Sequence, residues 1–181
     1  MKPRKSEPHR TRERIAPTEC VHIVVRVVPA IGGLRRWRCY RAINRALRTT
    51  HKRTAFRIVH ASIQRTHLHL LVEADRAADL ATGMQGFQIS AAKQLHRELR
   101  GARGTVFVDR YHATVIRSPV QCRNAISYVL NNWRKHHEHH ARTWRLDVFS
   151  SAIRLEGWAE PHAPWQLPPG YEPLAVCVAQ S

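Results

Sequence analysis

Residues 55–74 read AFRIVHASIQRTHLHLLVEA, and the fold of the chain follows from this stretch. The runs Ala55–Ile63 and His67–Ala74 are rich in β-branched and aliphatic residues, which is typical of β-strands. Only the polar link QRT separates them, and so short a link is typical of an antiparallel hairpin. The stretch therefore predicts two paired antiparallel strands.

The segments on either side of this hairpin complete a recognisable order of elements. Before it, Cys20–Val28 (CVHIVVRVV) predicts a strand that ends at Pro29, and Leu34–His51 predicts an amphipathic, Arg-rich helix. After it, Asp79–Leu99 predicts a helix and Val106–Arg117 predicts a strand. The order β-α-β-β-α-β predicts an α+β, ferredoxin-like fold, in which two helices cover one face of an antiparallel sheet.

A further helix is predicted after this unit. Ser118 is a suitable N-cap, Pro119 suits the first helical position, and the helix is predicted to run to about His139. Beyond it the chain is rich in proline and shows little periodicity. The sequence therefore predicts a basic flexible arm over residues 1–18, a domain over residues 19–140 that ends with this additional C-terminal helix, and an irregular Pro-rich tail over residues 141–181.

The charge of the chain indicates a polyanionic partner. The 181 residues include 30 Lys and Arg against 13 Asp and Glu, which gives a formal net charge of +17. This balance disfavours a neutral metabolic enzyme and favours nucleic acid, because phosphate contacts dominate nucleic-acid binding. Since 43% of the residues are apolar, the chain is nevertheless expected to fold.

The distribution of apolar residues and cysteines indicates the cellular compartment in which the protein is expected. No apolar run approaches the roughly 20 residues of a membrane span, and the N-terminus does not resemble a secretory signal. The four cysteines are scattered and form no CxxC pair, which disfavours a cysteine zinc site and a disulfide framework. We therefore expect a cytoplasmic, nucleoid-associated protein with reduced thiols and no membrane contact.

Two histidines in the second strand of the hairpin are candidate metal ligands. Residues i and i+2 of a strand point to the same face, so His67 and His69 project together. Leu68, Leu70 and Val72 point to the opposite face, toward the predicted helices. Two adjacent imidazoles can hold a divalent metal ion. Because 13 histidines in 181 residues give about one such pair by chance, solvated or packed histidines are the alternative.

The third predicted helix carries a tyrosine and an amide one turn apart. Tyr128 lies about 200° round the helix from Ile126, off the apolar stripe, and Asn132 follows one turn later on the same side. A phenol can attack phosphorus as a nucleophile, and an amide oxygen can complete the coordination of a metal. An exposed tyrosine on a basic helix is the alternative. If the helix packed this stripe on its own sheet, Tyr128 would point away from His67 and His69.

Basic and aromatic side chains are candidate contacts to nucleic acid. Arginine and lysine pair with phosphates, and aromatic rings stack on unpaired bases. A solvated basic surface is the alternative for any one of these residues. The run His136–His140 is interpreted as solvated histidines, and a metal pair formed by His136 and His140 in a zinc hydrolase is the alternative. The candidate nucleic-acid-binding residues are Arg35, Arg36, Trp37, Arg110, Arg117, Arg134 and Lys135.

Together these parts resemble the single-tyrosine HUH transposases, which include insertion-sequence transposases and REP-associated tyrosine transposases. The shared pattern is a His-hydrophobe-His pair on a sheet strand, followed about 60 residues later by a helix with one tyrosine. The resemblance extends from about Cys20 to His137. Its most specific stretches are Ile58–Ala74 (IVHASIQRTHLHLLVEA), Phe107–Arg117 (FVDRYHATVIR) and Ala125–Asn132 (AISYVLNN).

The resemblance implies metal-dependent cleavage and rejoining of single-stranded DNA, often next to a hairpin. It implies that His67 and His69 bind Mg²⁺ or Mn²⁺ and that Tyr128 attacks the DNA, which gives a 5′-phosphotyrosine. Family members often have a glutamine four residues after the tyrosine as a third ligand, where this chain has Asn132. In family dimers the tyrosine helix can lie over the partner's histidines, so the resemblance allows a homodimer as well as a site within one chain.

Other functional classes remain as alternatives. A catalytically inactive protein of the same fold that binds DNA hairpins or single strands is the first of them. An RNA-binding domain of RRM type is the second, but it needs an aromatic-rich strand, and the strands here carry His and Leu instead. Walker, GxGxxG, GxSxG, helix-turn-helix and zinc-finger patterns are absent from the sequence.

Overall fold

The computed structural model describes residues 15–16, 19–50, 54–100, 103–108, 110–135 and 147–154. Within this part of the chain lie four strands and three α-helices. In chain order they are β1 (Cys20–Arg26), α1 (Trp37–Thr50), β2 (Phe56–Ile63), β3 (His67–Ala74), α2 (Ala77–Glu98), β4 (His112–Ile116) and α3 (Pro119–Lys135), with short 3-10 turns at Pro29–Ile31 and Ser151–Arg154.

The four strands form one antiparallel sheet in the order β2-β3-β1-β4. β3 and β1 are therefore its central strands, and the register places His69 between Val24 of β1 and Ser62 of β2. The order of the elements and the pairing of the strands confirm the predicted ferredoxin-like α+β fold, and α3 is the predicted additional C-terminal helix.

Different helices cover the two faces of this sheet. Period-2 alternation buries Val21, Ile23 and Val25 of β1 in the main core, on the face that meets α1 and α2. On the opposite face a smaller cluster forms, in which Leu71 packs with Val129 of α3. α3 therefore lies on the face that carries the odd-numbered residues of β3, which include His67 and His69.

The predicted elements are present, with ends that differ by a few residues. The exception is the predicted strand Val106–Arg117, which is too long, because only β4 pairs regularly with β1 and Phe107 forms a single bridge to Val27. Phe107 and His112 are five positions apart in the sequence, whereas their partners Val27 and Val24 are only three positions apart. Two extra residues therefore interrupt the ladder, as in a bulge.

Several predicted features lie outside the described residues. These are the basic arm except for residues 15–16, the run His136–His140 with the predicted helix end, and most of the Pro-rich tail. In the part of the chain that the structure describes, no helix is long and apolar enough to cross a membrane.

One segment of the predicted tail, residues 147–154, packs against the domain. Both guanidinium nitrogens of Arg35 donate hydrogen bonds to the Asp147 carboxylate, at 2.8 and 2.7 Å. The Phe149 ring stacks on Trp37 with 5.3 Å between ring centroids, and Ser150 forms a bridge to Ser62 of β2. This segment therefore covers part of the edge of β2 and is joined to the chain that leads into α1.

We predict that Asp147→Ala destabilises the protein by about 1–2 kcal/mol. The Asp147 side chain is 1% exposed and also accepts a hydrogen bond from the Phe149 amide. The substitution removes the carboxylate partner of Arg35, whose side chain is only 15% exposed. Urea unfolding measures the change, with Asp75→Ala as the exposed control. Equal midpoints for Asp147→Ala and the wild type would show that the segment contributes no stability.

Candidate active site

Side chains from three elements meet on the sheet face under α3. Strand alternation brings His67 and His69 to this face of β3, and His22 comes from the neighbouring strand β1. α3 adds Tyr128 and Asn132, which lie one turn apart on the helix. These five side chains form a continuous set of ring and hydrogen-bond contacts.

The Nε2 atom of His69 is the point at which this set converges. It lies 3.0 Å from Nε2 of His67, and the two rings are nearly perpendicular, at 82°. The side-chain amide of Asn132 hydrogen-bonds to the same Nε2 atom. His69 and Asn132 are 4% and 1% exposed, so both polar groups depend on partners inside the protein rather than on water.

The contacts around His69 Nε2 fit a divalent metal ion. Two octahedral ligands at right angles, each about 2.1 Å from the ion, are about 3 Å apart, which matches the 3.0 Å between the two histidine nitrogens. Within the described part of the chain, the buried Oδ1 of Asn132 has no hydrogen-bond partner, and a half-turn of the amide exchanges it with the nitrogen that faces His69. Two imidazole nitrogens and an amide oxygen suit Mn²⁺ better than Mg²⁺, which prefers oxygen ligands.

The side chain that meets the two histidines is an amide rather than a carboxylate or a thiolate. Among the described residues, no three His, Cys, Asp or Glu side chains are grouped so that they could hold a metal ion. Of the residues described, Asn132 is placed to add an amide oxygen to a pair of ligands formed by His67 and His69. The contact with His69 shows that an asparagine at this position is long enough to reach the histidines.

Tyr128 lies beside the histidines rather than away from them. Its ring makes edge contacts with His69 and His22, with ring centroids 5.4 and 5.7 Å apart, and its side chain is 39% exposed. The expectation that Tyr128 points away when α3 packs on its own sheet is wrong. The face of α3 that packs on the sheet includes Asn132 as well as Val129. The helix is therefore rotated so that Tyr128 lies at the border of this buried face. The tyrosine and the histidines thus meet within one chain.

His22 belongs to the site but was missed by the sequence-based prediction. Its Nε2 lies 3.0 Å from Nδ1 of His69, and the two rings are within 17° of parallel. Burial lowers the pKa of His22 below its usual range, and the nearby His112 lowers it further. The available signal was alternation in CVHIVVR, which places His22 on the face opposite the buried Val21 and Ile23.

Comparison with known proteins assigns the chain to a family. The family model described as "Transposase IS200 like" matches residues 19–132, which include all of these side chains. The chain belongs to the IS200-like transposase family. This confirms the resemblance to the single-tyrosine transposases. A search of curated proteins finds no match for the sequence.

One solved structure supports the fold of this member of the IS200-like family. A REP-associated tyrosine transposase bound to a REP hairpin is similar with a TM-score of 0.63 and 16% identity, over 82% of this chain and 84% of that chain. A structure from Deinococcus radiodurans, described as that of a "putative transposase", is similar with a TM-score of 0.46 and 11% identity, over 75% of this chain and 99% of that one.

The candidate nucleic-acid-binding residues of this transposase occupy different settings. Arg35 is paired with Asp147 and lies over the Phe149 ring, and Trp37 packs against the rings of both Phe149 and Tyr40, which also contact each other. Arg36 is exposed and donates hydrogen bonds to two backbone carbonyls. Arg110 and Arg117 are exposed, the latter 3.7 Å from Glu19. Arg134 and Lys135 lie in the last turn of α3, where the structure describes the backbone alone.

Proposed function

We propose that this transposase cleaves and rejoins single-stranded DNA, with Tyr128 as the nucleophile and His67, His69 and Asn132 as ligands of a divalent metal ion. The observation that carries the proposal is the contact of the Tyr128 ring with His69, whose Nε2 also meets His67 and Asn132. The proposed nucleophile and the proposed metal ligands are thus in contact within one chain.

His67, His69 and Asn132 would hold a divalent ion, and when bound this ion would polarise the scissile phosphate. In the proposed reaction Tyr128 attacks phosphorus through its phenolic oxygen, and the new oxygen–phosphorus bond gives a 5′-phosphotyrosine. The bond to the 3′ oxygen breaks, the phenol loses its proton, and the leaving oxygen takes up a proton to become a free 3′-OH. Because the phosphodiester energy is kept in the tyrosine linkage, a 3′-OH can reverse the step without ATP.

Single-stranded DNA next to a hairpin is the substrate that we propose. The net charge of +17 favours a phosphate backbone, and the REP-associated relative in the solved structure is bound to a REP hairpin. We assign phosphate contacts to the exposed Arg36, Arg110 and Arg117 and to the α3 terminus with Arg134 and Lys135. Arg35 and Trp37 are left out of this assignment because their side chains are engaged by the segment 147–154.

The test is the formation of a covalent protein–DNA adduct. Labelled single-stranded oligonucleotides from the DNA that flanks the gene are incubated with the protein in Mn²⁺, Mg²⁺ or EDTA, and the products are separated on a denaturing gel. We expect an adduct that requires the metal and falls about a thousandfold in His67→Ala. His96→Ala, which changes a histidine of α2 on the other side of the sheet, is the matched control and should form the adduct normally.

Two results would contradict the proposal in different ways. An adduct of equal yield in EDTA would exclude the metal while leaving a tyrosine nucleophile. Tight binding of hairpin DNA with no adduct in either metal would instead support the alternative function, a catalytically inactive protein that binds hairpins or single strands.

A further inference from the structure

His22 contacts His69 on the side opposite to His67 and Asn132. The Nε2 atom of His22 lies 3.0 Å from Nδ1 of His69, and the ring centroids are 5.2 Å apart. For an N···N contact of this length, such a centroid separation is close to the largest that two imidazole rings can have. With only 17° between their planes, the rings lie edge to edge, nearly in one plane. An imidazole N–H bond and lone pair both lie in the ring plane, so this is the geometry of a hydrogen bond.

The direction of this hydrogen bond follows from the other nitrogen of His69. A neutral imidazole carries one proton, so the nitrogen without it is the one that can act as a ligand. Nε2 of His69 faces His67 and Asn132, and a ligand role requires a lone pair on this atom. The proton then lies on Nδ1 and points to His22, which accepts it through Nε2 and keeps its own proton on Nδ1.

We propose that His22 is a positioning residue of the site: it accepts a hydrogen bond from His69 Nδ1 and so fixes the tautomer and the ring orientation in which His69 Nε2 binds the metal. The metal part of this inference rests on the proposed function, whereas the hydrogen bond does not. Partners of this kind behind a histidine ligand typically contribute 10–100-fold to metal affinity or activity. His22 also touches the Tyr128 ring, so a change in its volume could disturb the nucleophile independently.

The experiment therefore separates the hydrogen bond from the volume of the side chain. His22→Leu fills similar space without an acceptor, whereas His22→Gln offers its amide oxygen to Nδ1 of His69. Mn²⁺ titration of the full chain should give about 10–100-fold weaker binding for His22→Leu and recovery to within about threefold of the wild type for His22→Gln. His60→Leu, at a half-buried histidine of β2 whose ring contacts Ser151, is the matched control and should bind Mn²⁺ normally.

A second measurement reads the hydrogen bond without metal. In the metal-free protein, ¹⁵N NMR of the histidine side chains should show His69 protonated on Nδ1 in the wild type and in His22→Gln, and a mixture of tautomers in His22→Leu. Protonation of wild-type His69 on Nε2 would overturn the inference, and so would equal Mn²⁺ affinity in the wild type and His22→Leu. Failure of the wild type to bind Mn²⁺ would overturn the proposed metal site together with this inference, so the two failures are distinguishable.

Discussion

Tyr128→Phe reduces covalent adduct formation by about a thousandfold or more and changes the affinity for the same DNA by less than about threefold, if Tyr128 is the nucleophile. The substitution removes one oxygen and keeps the ring that contacts His22 and His69. Because those edge contacts need only the ring, the proposed metal ligands should stay in place, and Mn²⁺ affinity should equal that of the wild type. The measurements are the denaturing gel for the adduct and a native binding assay for the DNA.

Tyr111→Phe is the matched control for this prediction. Tyr111 precedes β4 and packs as a half-buried side chain against the main core, away from the contacts around His69. It should therefore form the adduct at the wild-type rate. The reverse pattern, an adduct that survives Tyr128→Phe and disappears in Tyr111→Phe, would transfer the nucleophile to Tyr111. Loss of Mn²⁺ binding in Tyr128→Phe would mean that the phenol supports the metal site and does not act only as the attacking group.

The fold could be predicted because its signals are local. The link QRT predicts a hairpin, and alternation along β3 predicts that Leu68 and Leu70 are buried under the helices, as both are. The error in the length of the predicted strand Val106–Arg117 has a different cause. Val106–Val108 and β4 both pair with the region of β1, and the composition of the sequence does not reveal the two extra residues between the paired parts.

Within the candidate site, only the pairs of residues that lie on the same strand or the same helix could be predicted from the sequence. The spacing of His67 and His69 is a property of one strand, and the spacing of Tyr128 and Asn132 is a property of one helix. The rotation of α3 about its axis on the sheet depends on the burial of the polar residue Asn132. The apolar residues of the helix do not predict that this residue is buried. His22 depends on the register of β1 against β3, which places it diagonally beside His69, and a single sequence does not reveal that register.

The packing of α2 on the sheet gives the largest expected loss of stability, at Gly83. This glycine is buried against Phe56, and a Cβ atom on it would lie 2.2 Å from Cγ and 2.3 Å from Cδ2 of the phenylalanine ring. Cγ is the ring atom bonded to the side chain's own Cβ, so flipping the ring does not relieve the overlap. Alanine is favoured over glycine inside a helix by about 1 kcal/mol, which the overlap must exceed. We expect Gly83→Ala to lower the free energy of unfolding by about 3 kcal/mol net, as measured by urea unfolding.

A double-mutant cycle identifies Phe56 as the cause of this loss. In a Phe56→Ala background the space above Gly83 is open, so Gly83→Ala should then cost little or even stabilise through helix propensity. Thr82→Ala, at an exposed neighbour on the same helix, controls for propensity alone. Equal losses from Gly83→Ala in both backgrounds would exclude Phe56 as the cause. Because Phe56 and Gly83 lie in the main core, on the face opposite α3, the fraction of Gly83→Ala that remains folded should keep the Mn²⁺ affinity of the wild type. The cycle would thereby test whether the two faces of the sheet divide stability from chemistry.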